Sequence, residues 1–124
     1  MSKKILIIDD EELIIKSLTK LLERNGFDPF VAKRAQDALV ILEEESFDLI
    51  ISDIRMPGMN GIEFIKSMYS ALEEKGVERP PVIFITGYAD KSLEDEAKKL
   101  NPVAYIAKPF NIELLMKTIQ KVIS

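Results

Sequence analysis

The feature that most restricts this chain is an alternation of five short runs of β-branched and aromatic residues with stretches of helical spacing. The runs are Ile5 to Ile8, Phe30 to Ala32, Leu49 to Ile51, Val82 to Ile85 and Val103 to Ile106, and their composition is that of strands. Between them Leu13, Ile14, Leu18, Leu21 and Leu22 fall on one helical stripe, and Ala35, Ala38, Leu39 and Leu42 on a second. A third runs through Ile62, Ile65, Met68 and Leu72. The segment from Asp90 to Leu100 makes a weaker helix, with Leu93, Ala97 and Leu100 its only apolar residues amid charges, and is expected to pack lightly. A last helix presents Leu115, Ile119 and Val122 behind Asn111, which is placed to cap it. Asn25 and Gly26 close the first helix with residues that tolerate left-handed geometry.

Strands alternating with helices form a parallel sheet through right-handed crossovers, and strands apolar along their whole length are those covered on both faces. The expected fold is therefore α/β, a doubly wound (βα)5 arrangement around a five-stranded parallel sheet. Pro29 cannot donate to a ladder, which sends the strand holding Phe30 to an edge. That suits strand order 2-1-3-4-5, the flavodoxin-like topology. A chain of 124 residues fits one domain, expected over 1–124.

Composition narrows the chemistry. The chain has no cysteine and no histidine, so any reaction must use carboxylate, hydroxyl, ammonium or backbone groups. Its formal charge is -4, with Lys and Arg scattered along the helical segments, so there is no basic stripe and direct nucleic-acid binding is not expected. The longest strongly apolar run, Ile5 to Ile8, is too short to span a bilayer, and Met1 to Lys4 leads into it without a signal-peptide core. No membrane insertion and a cytoplasmic location are expected.

In an open parallel sheet, ligands bind at the carboxyl ends of the strands beside the point where strand order reverses. Asp9, Asp10, Glu11 and Glu12 follow the first strand, Asp53 ends the third, Thr86 and Gly87 the fourth, and Lys108 and Pro109 the fifth. On this strand order Asp9, Asp10 and Asp53 converge, and three crowded carboxylates call for a cation. Magnesium (Mg2+) suits them, since it takes one or two carboxylates and keeps water positions that phosphate oxygens can enter. Lys108 brings a positive charge to the far side, and the Thr86 hydroxyl can donate to a phosphoryl oxygen. Taken singly, each residue has a plainer role: Asp9 and Asp10 as helix-capping acids, Asp53 in a turn, Thr86 in packing, Lys108 on the surface. Four strand ends carrying complementary charges favour a phosphoryl-binding pocket.

The segments Ile5 to Glu11, Asp48 to Gly61, Ile85 to Gly87 and Tyr105 to Phe110 together resemble the receiver domain of bacterial two-component response regulators, and the resemblance spans essentially the whole chain. It implies that Asp53 is the phosphoacceptor, that Asp9 and Asp10 are the acidic pair for magnesium, and that the main-chain carbonyl of Arg55 is a further metal ligand. It also implies that Thr86 and Lys108 bind the phosphoryl group, that Tyr105 is an aromatic switch residue, and that Pro109 follows a cis bond. Arg55 and Tyr88, two residues beyond Asp53 and Thr86, would tune phosphoryl lifetime. Asn101 to Ala104 stands where family members often carry Gly-Ala, so a different turn is expected ahead of the fifth strand.

The function implied is that of a phosphorylation-dependent switch in a phosphorelay. A sensor histidine kinase or phosphotransfer protein would phosphorylate Asp53, and a surface formed by the fourth helix, fifth strand and fifth helix would engage a downstream effector protein or domain. Such a chain catalyses its own aspartyl phosphorylation and dephosphorylation and turns over no external substrate. A magnesium-dependent phosphohydrolase would want a separate general acid and a cap, and neither is evident. A flavin carrier of this topology would want a hydroxyl- and glycine-rich cradle where this chain has acids. No effector segment follows the fifth helix within these residues, which suits a stand-alone regulator and a receiver of a longer protein alike.

Overall fold

The computed structural model describes residues 2–87 and 90–123. Its elements alternate along the chain: β1 (Lys4–Ile8), α1 (Glu12–Arg24), β2 (Asp28–Ala32), α2 (Ala35–Glu44), β3 (Leu49–Asp53), α3 (Gly61–Glu74), β4 (Val82–Thr86), α4 (Lys91–Lys98), β5 (Ala104–Ala107) and α5 (Ile112–Ile123). All strand pairs are parallel, in the order β2-β1-β3-β4-β5. Pro29 lies on the edge strand, where its missing N–H costs no interior ladder bond.

The strands are apolar throughout because each face has its own core. Leu6, Ile8, Ile50, Phe84 and the buried side of α3 form one cluster with Ala35, Ala38 and Ala97 of α2 and α4. Ile5, Ile7, Ile51, Ile83 and Ile85 form the other with Leu18 and Leu22 of α1 and Leu115 and Ile119 of α5. Each such side chain contributes roughly 1.5–3 kcal/mol when fully buried. Leu13 departs from the expected stripe: it is 79% exposed, because it sits on the first turn of α1 on the side away from the sheet, while Ile15, Leu18 and Leu22 carry the contact. No helix among the described residues is long and apolar enough to cross a membrane.

The helix ends follow their local chemistry. Asn111 accepts from the Leu114 N–H at 3.0 Å, and Asp90 from Leu93 N–H at 3.2 Å. Gly26 adopts φ +83° and lets the Phe27 N–H return to the Leu22 carbonyl at 3.0 Å. Asn101 adopts φ 56°, a left-handed position that Asn tolerates, so it makes the turn after α4 and β5 begins at Ala104 rather than Val103. The lightly anchored α4 buries only Ala97 completely.

Candidate functional site

Strand register builds the site. Ile8 pairs with Ser52, so the next residues, Asp9 and Asp53, emerge side by side at the carboxyl end of the sheet. Asp53 pairs with Ile85, which puts Thr86 one step further along the neighbouring strand, and Thr86 pairs with Ala107, next to Lys108. The Lys108 N–H donates to the Thr86 carbonyl at 2.7 Å, and the bond from Lys108 to Pro109 is cis.

Asp9, Asp53 and Thr86 are buried, whereas Asp10 is exposed. One carboxylate oxygen from each of Asp9, Asp10 and Asp53 lies within 4.8 Å of the others. Lys108 does not stand across from this group as expected. Its Nζ lies inside it, 3.1 Å from Asp53 Oδ2, 3.0 Å from Asp9 Oδ2 and 2.7 Å from Glu11 Oε1, because clustered carboxylates attract the one ammonium that the end of β5 delivers. The second oxygen of each buried acid is held by backbone: Asp53 Oδ1 accepts from the Ile54 N–H at 2.8 Å and Asp9 Oδ1 from the Glu11 N–H at 2.9 Å.

Burial pushes the Asp53 carboxyl above its ordinary pKa, with the charge of Asp9 adding to the rise and Lys108 opposing it. Burial likewise raises Asp9, against the pull of the Glu11 N–H and Lys108. Burial also works against the charge of Lys108, but the hydrogen bonds to Glu11 and Asp9 and the charges of Asp53 and Asp9 together hold it well above the usual lysine value. These directions agree, since one cation is shared among more carboxylates than it can neutralise. Three hard oxygen donors at this spacing, two of them buried and under-neutralised, are a donor set that fits a small dication.

The remaining expected residues lie around this centre. Arg55 is exposed on the loop after β3, its guanidinium 3.9 Å from Asp90 at the start of α4. Tyr105 is half-buried; burial and the nearby carboxylates of Glu94 and Asp90 raise its pKa. Because Phe84 pairs with Tyr105 and Thr86 with Ala107, Thr86 and Tyr105 share the sheet face that carries α4. Tyr88 lies outside the described residues.

Three residues contribute without having been singled out by sequence. Glu11 supplies the shortest contact to Lys108; as the third acid of an Asp-Asp-Glu-Glu run it was visible, but nothing in the run distinguished its reach from that of Glu12. Ser52, fully buried, donates to the Asp53 carbonyl at 2.8 Å. Gly61 opens α3 so close to β3 that a Cβ there would stand 2.0 Å from the Asp53 carbonyl oxygen.

The chain is similar to known proteins over nearly its whole length. The family model described as response regulator receiver domain matches residues 5–120. Sporulation initiation phosphotransferase F of Bacillus subtilis is 34% identical over 121 residues, a match covering 98% of this chain and 94% of that protein. Transcriptional regulatory protein FixJ of Bradyrhizobium diazoefficiens is 38% identical over 120 residues, covering 96% of this chain but 56% of that longer protein. Among solved structures, chemotaxis protein CheY4 of Vibrio cholerae superposes with a TM-score of 0.84 at 30% identity, covering 98% of this chain and 99% of that one.

Proposed function

The chain belongs to the response regulator receiver domain family, and from that premise we propose that it is a cytoplasmic phosphorylation-dependent switch of two-component signalling whose phosphoacceptor is Asp53. One observation carries the assignment: Asp53 is buried at the end of a central strand, with Asp9 and Asp10 oxygens within 4.8 Å and the Lys108 ammonium at 3.1 Å. The Ile54 N–H and Lys108 hold the two Asp53 oxygens in a fixed plane, so the nucleophile is oriented before a donor arrives.

The step is an in-line transfer from a phosphohistidine of a sensor kinase or phosphotransfer protein. An Asp53 oxygen forms a bond to phosphorus, the bond from phosphorus to the imidazole nitrogen breaks, and its electron pair leaves with the imidazole. Magnesium held by Asp9, Asp10, Asp53 and the Arg55 carbonyl would neutralise charge gathering on the transferring group. Lys108, from within the carboxylate cluster, would neutralise charge on the phosphoryl group, and the Thr86 hydroxyl would donate to a phosphoryl oxygen. Drawing Thr86 toward Asp53 would free space on the face it shares with Tyr105 and shift α4, the least anchored helix, remodelling the surface of α4, β5 and α5 for an effector. Water attack on the acyl phosphate then resets the switch, with Arg55 and Tyr88 restricting its approach.

Incubation with a small acyl-phosphate donor and magnesium should raise the intact mass by one phosphoryl unit. Asp53→Asn should abolish the gain while leaving the fold intact. Persistence of the modification in that variant would overturn the assignment.

A further inference from the structure

Two concavities, of about 290 and 360 Å3, meet between α2 and α3 at the end of the sheet remote from Asp53. They share Leu42, Glu43, Leu72 and Lys75 and so form one groove. The groove exists because α2 buries only Ala35 and Ala38 completely, leaving Leu39 and Leu42 half-open opposite Leu72 of α3. On the α3 side the lining residues Ser67 and Ala71 are small and let another backbone come close.

The rim is acidic. Glu43, Glu44 and Glu78 make no ion pair among the described residues, Glu45 is held by Lys4 at 2.6 Å, and Lys75 is the one cation lining the groove. Four carboxylates therefore face two ammonium groups, Lys75 and Lys4, around an apolar floor. Along α3 the stripe from Ser67 through Ala71 to Lys75 covers about 12 Å at 1.5 Å per residue, long enough for the roughly 10.5 Å between apolar anchors at i and i+7 of a partner helix.

The geometry points to this groove as the docking site for a basic amphipathic helix of a partner protein, separate from the phosphorylation site and from the face of α4, β5 and α5. A second copy of the chain fits it poorly. Of its basic helices, α1 exposes Leu13 alone beside Lys16 and Lys20, and α5 exposes Ile112 and Leu114 beside Lys117 and Lys121, so neither presents exposed apolar residues at i, i+4 and i+7 to fill the floor.

The test uses the isotope-labelled full chain and a synthetic peptide of about fourteen residues with Leu at i, i+4 and i+7 and Lys on the other face, beside a scrambled peptide of equal composition. Amide shifts should gather in 39–46 and 67–78 with the amphipathic peptide only. Reversing charge in the triple variant Glu43→Lys, Glu44→Lys and Glu78→Lys should weaken binding about tenfold or more at low salt and leave Asp53 phosphorylation at the wild-type rate. Equal binding by the scrambled peptide, equal affinity of the triple variant, or shifts confined to other helices would overturn the proposal. So would self-association of the chain alone that the triple variant loses, which would give the groove to a second copy. Peptide binding needs no phosphoryl group, so its failure and that of the Asp53 assignment are read separately.

Discussion

Replacing Gly61 by Ala tests whether close contact between α3 and β3 sets the position of Asp53. The added Cβ would stand 2.0 Å from the Asp53 carbonyl oxygen and 3.0 Å from both the Asp53 carbonyl carbon and Ser52 Oγ. Relief requires the start of α3 to retreat by roughly 1 Å, given that packed carbon and oxygen atoms sit more than about 3 Å apart. That retreat stretches the Gly61 N–H bond to the Ile54 carbonyl, now 2.8 Å, and drags the capping box in which Asn60 and Glu63 exchange bonds of 2.9 and 3.1 Å. Overpacking costs about 1–3 kcal/mol and a weakened buried hydrogen bond about 1–3 kcal/mol, offset by up to about 1 kcal/mol from the better helix propensity of Ala. The net is a loss of roughly 1–6 kcal/mol, or about 4–24 °C in Tm at about 4 °C per kcal/mol. Urea unfolding supplies the energy, and phosphorylation by a small acyl-phosphate donor should slow about 10- to 100-fold as Asp53 is displaced. Gly26→Ala is the control: its Cβ meets nothing within 4 Å, so only the φ of +83° is strained, at about 1–2 kcal/mol and with no effect on phosphorylation. Stability of Gly61→Ala within about 0.5 kcal/mol of wild type, with a normal phosphorylation rate, would refute the reasoning.

Other expected outcomes bear on the acidic centre and its output. Asp10→Asn should weaken magnesium binding on the order of tenfold, read by titration calorimetry, and should not lower the metal-free Tm, since it removes one of several crowded like charges. Asp53 has a raised folded-state pKa, so its ionised form is penalised in the fold at neutral pH and the penalty lifts as pH falls through that raised value. Asp53→Asn should therefore unfold at higher urea than wild type at pH 7 without metal, with an advantage that shrinks toward pH 4; a constant or growing advantage contradicts the sign. Thr86→Ala should still take a phosphoryl group on Asp53 but lose most of the amide NMR shifts along α4 and β5 on phosphorylation, whereas the full wild-type pattern would break the link from Thr86 to Tyr105.

The topology was legible because both sheet faces are covered: runs such as Ile5 to Ile8 have no polar alternation, which only a parallel, doubly covered sheet accommodates. Pro29 marked the edge by its missing donor, and the capping roles of Asn111 and of Asn25 with Gly26 rest on local chemistry that sequence states directly. The convergence of Asp9, Asp10 and Asp53 was legible for a related reason, since strand order alone brings their strand ends together. What was not legible depends on reach and rotation. Periodicity put Leu13 on the buried stripe, but helix rotation on the first turn turns it to solvent. Nothing in the one-dimensional pattern separates the reach of Glu11 from that of Glu12, which pairs with Lys33 instead. Gly61 reads as a turn glycine beside Asn60, and only packed backbones reveal that it is required by approach distance.

Those corrections bear on how the switch would work. With Lys108 bonded at once to Asp9, Glu11 and Asp53, the site holds its cation by several partial claims, of which only the one from Glu11 reaches it from an exposed side chain. A phosphoryl group on Asp53 would carry about 1.5–2 negative charges in place of the single charge of the carboxylate, a gain of roughly 0.5–1, and would strengthen the claim of Asp53 on that ammonium against the others. Glu11 would yield most easily, because water can solvate its released carboxylate, whereas Asp9 is buried and cannot be left unpaired at low cost. The rearrangement would thus begin between the loop after β1 and the end of β5, and Lys108 is tied through its own N–H to the Thr86 carbonyl. The main chains that carry the cation and the hydroxyl are therefore hydrogen-bonded to each other, so a change in charge at Asp53 would act on β4 and β5 together rather than through Thr86 alone.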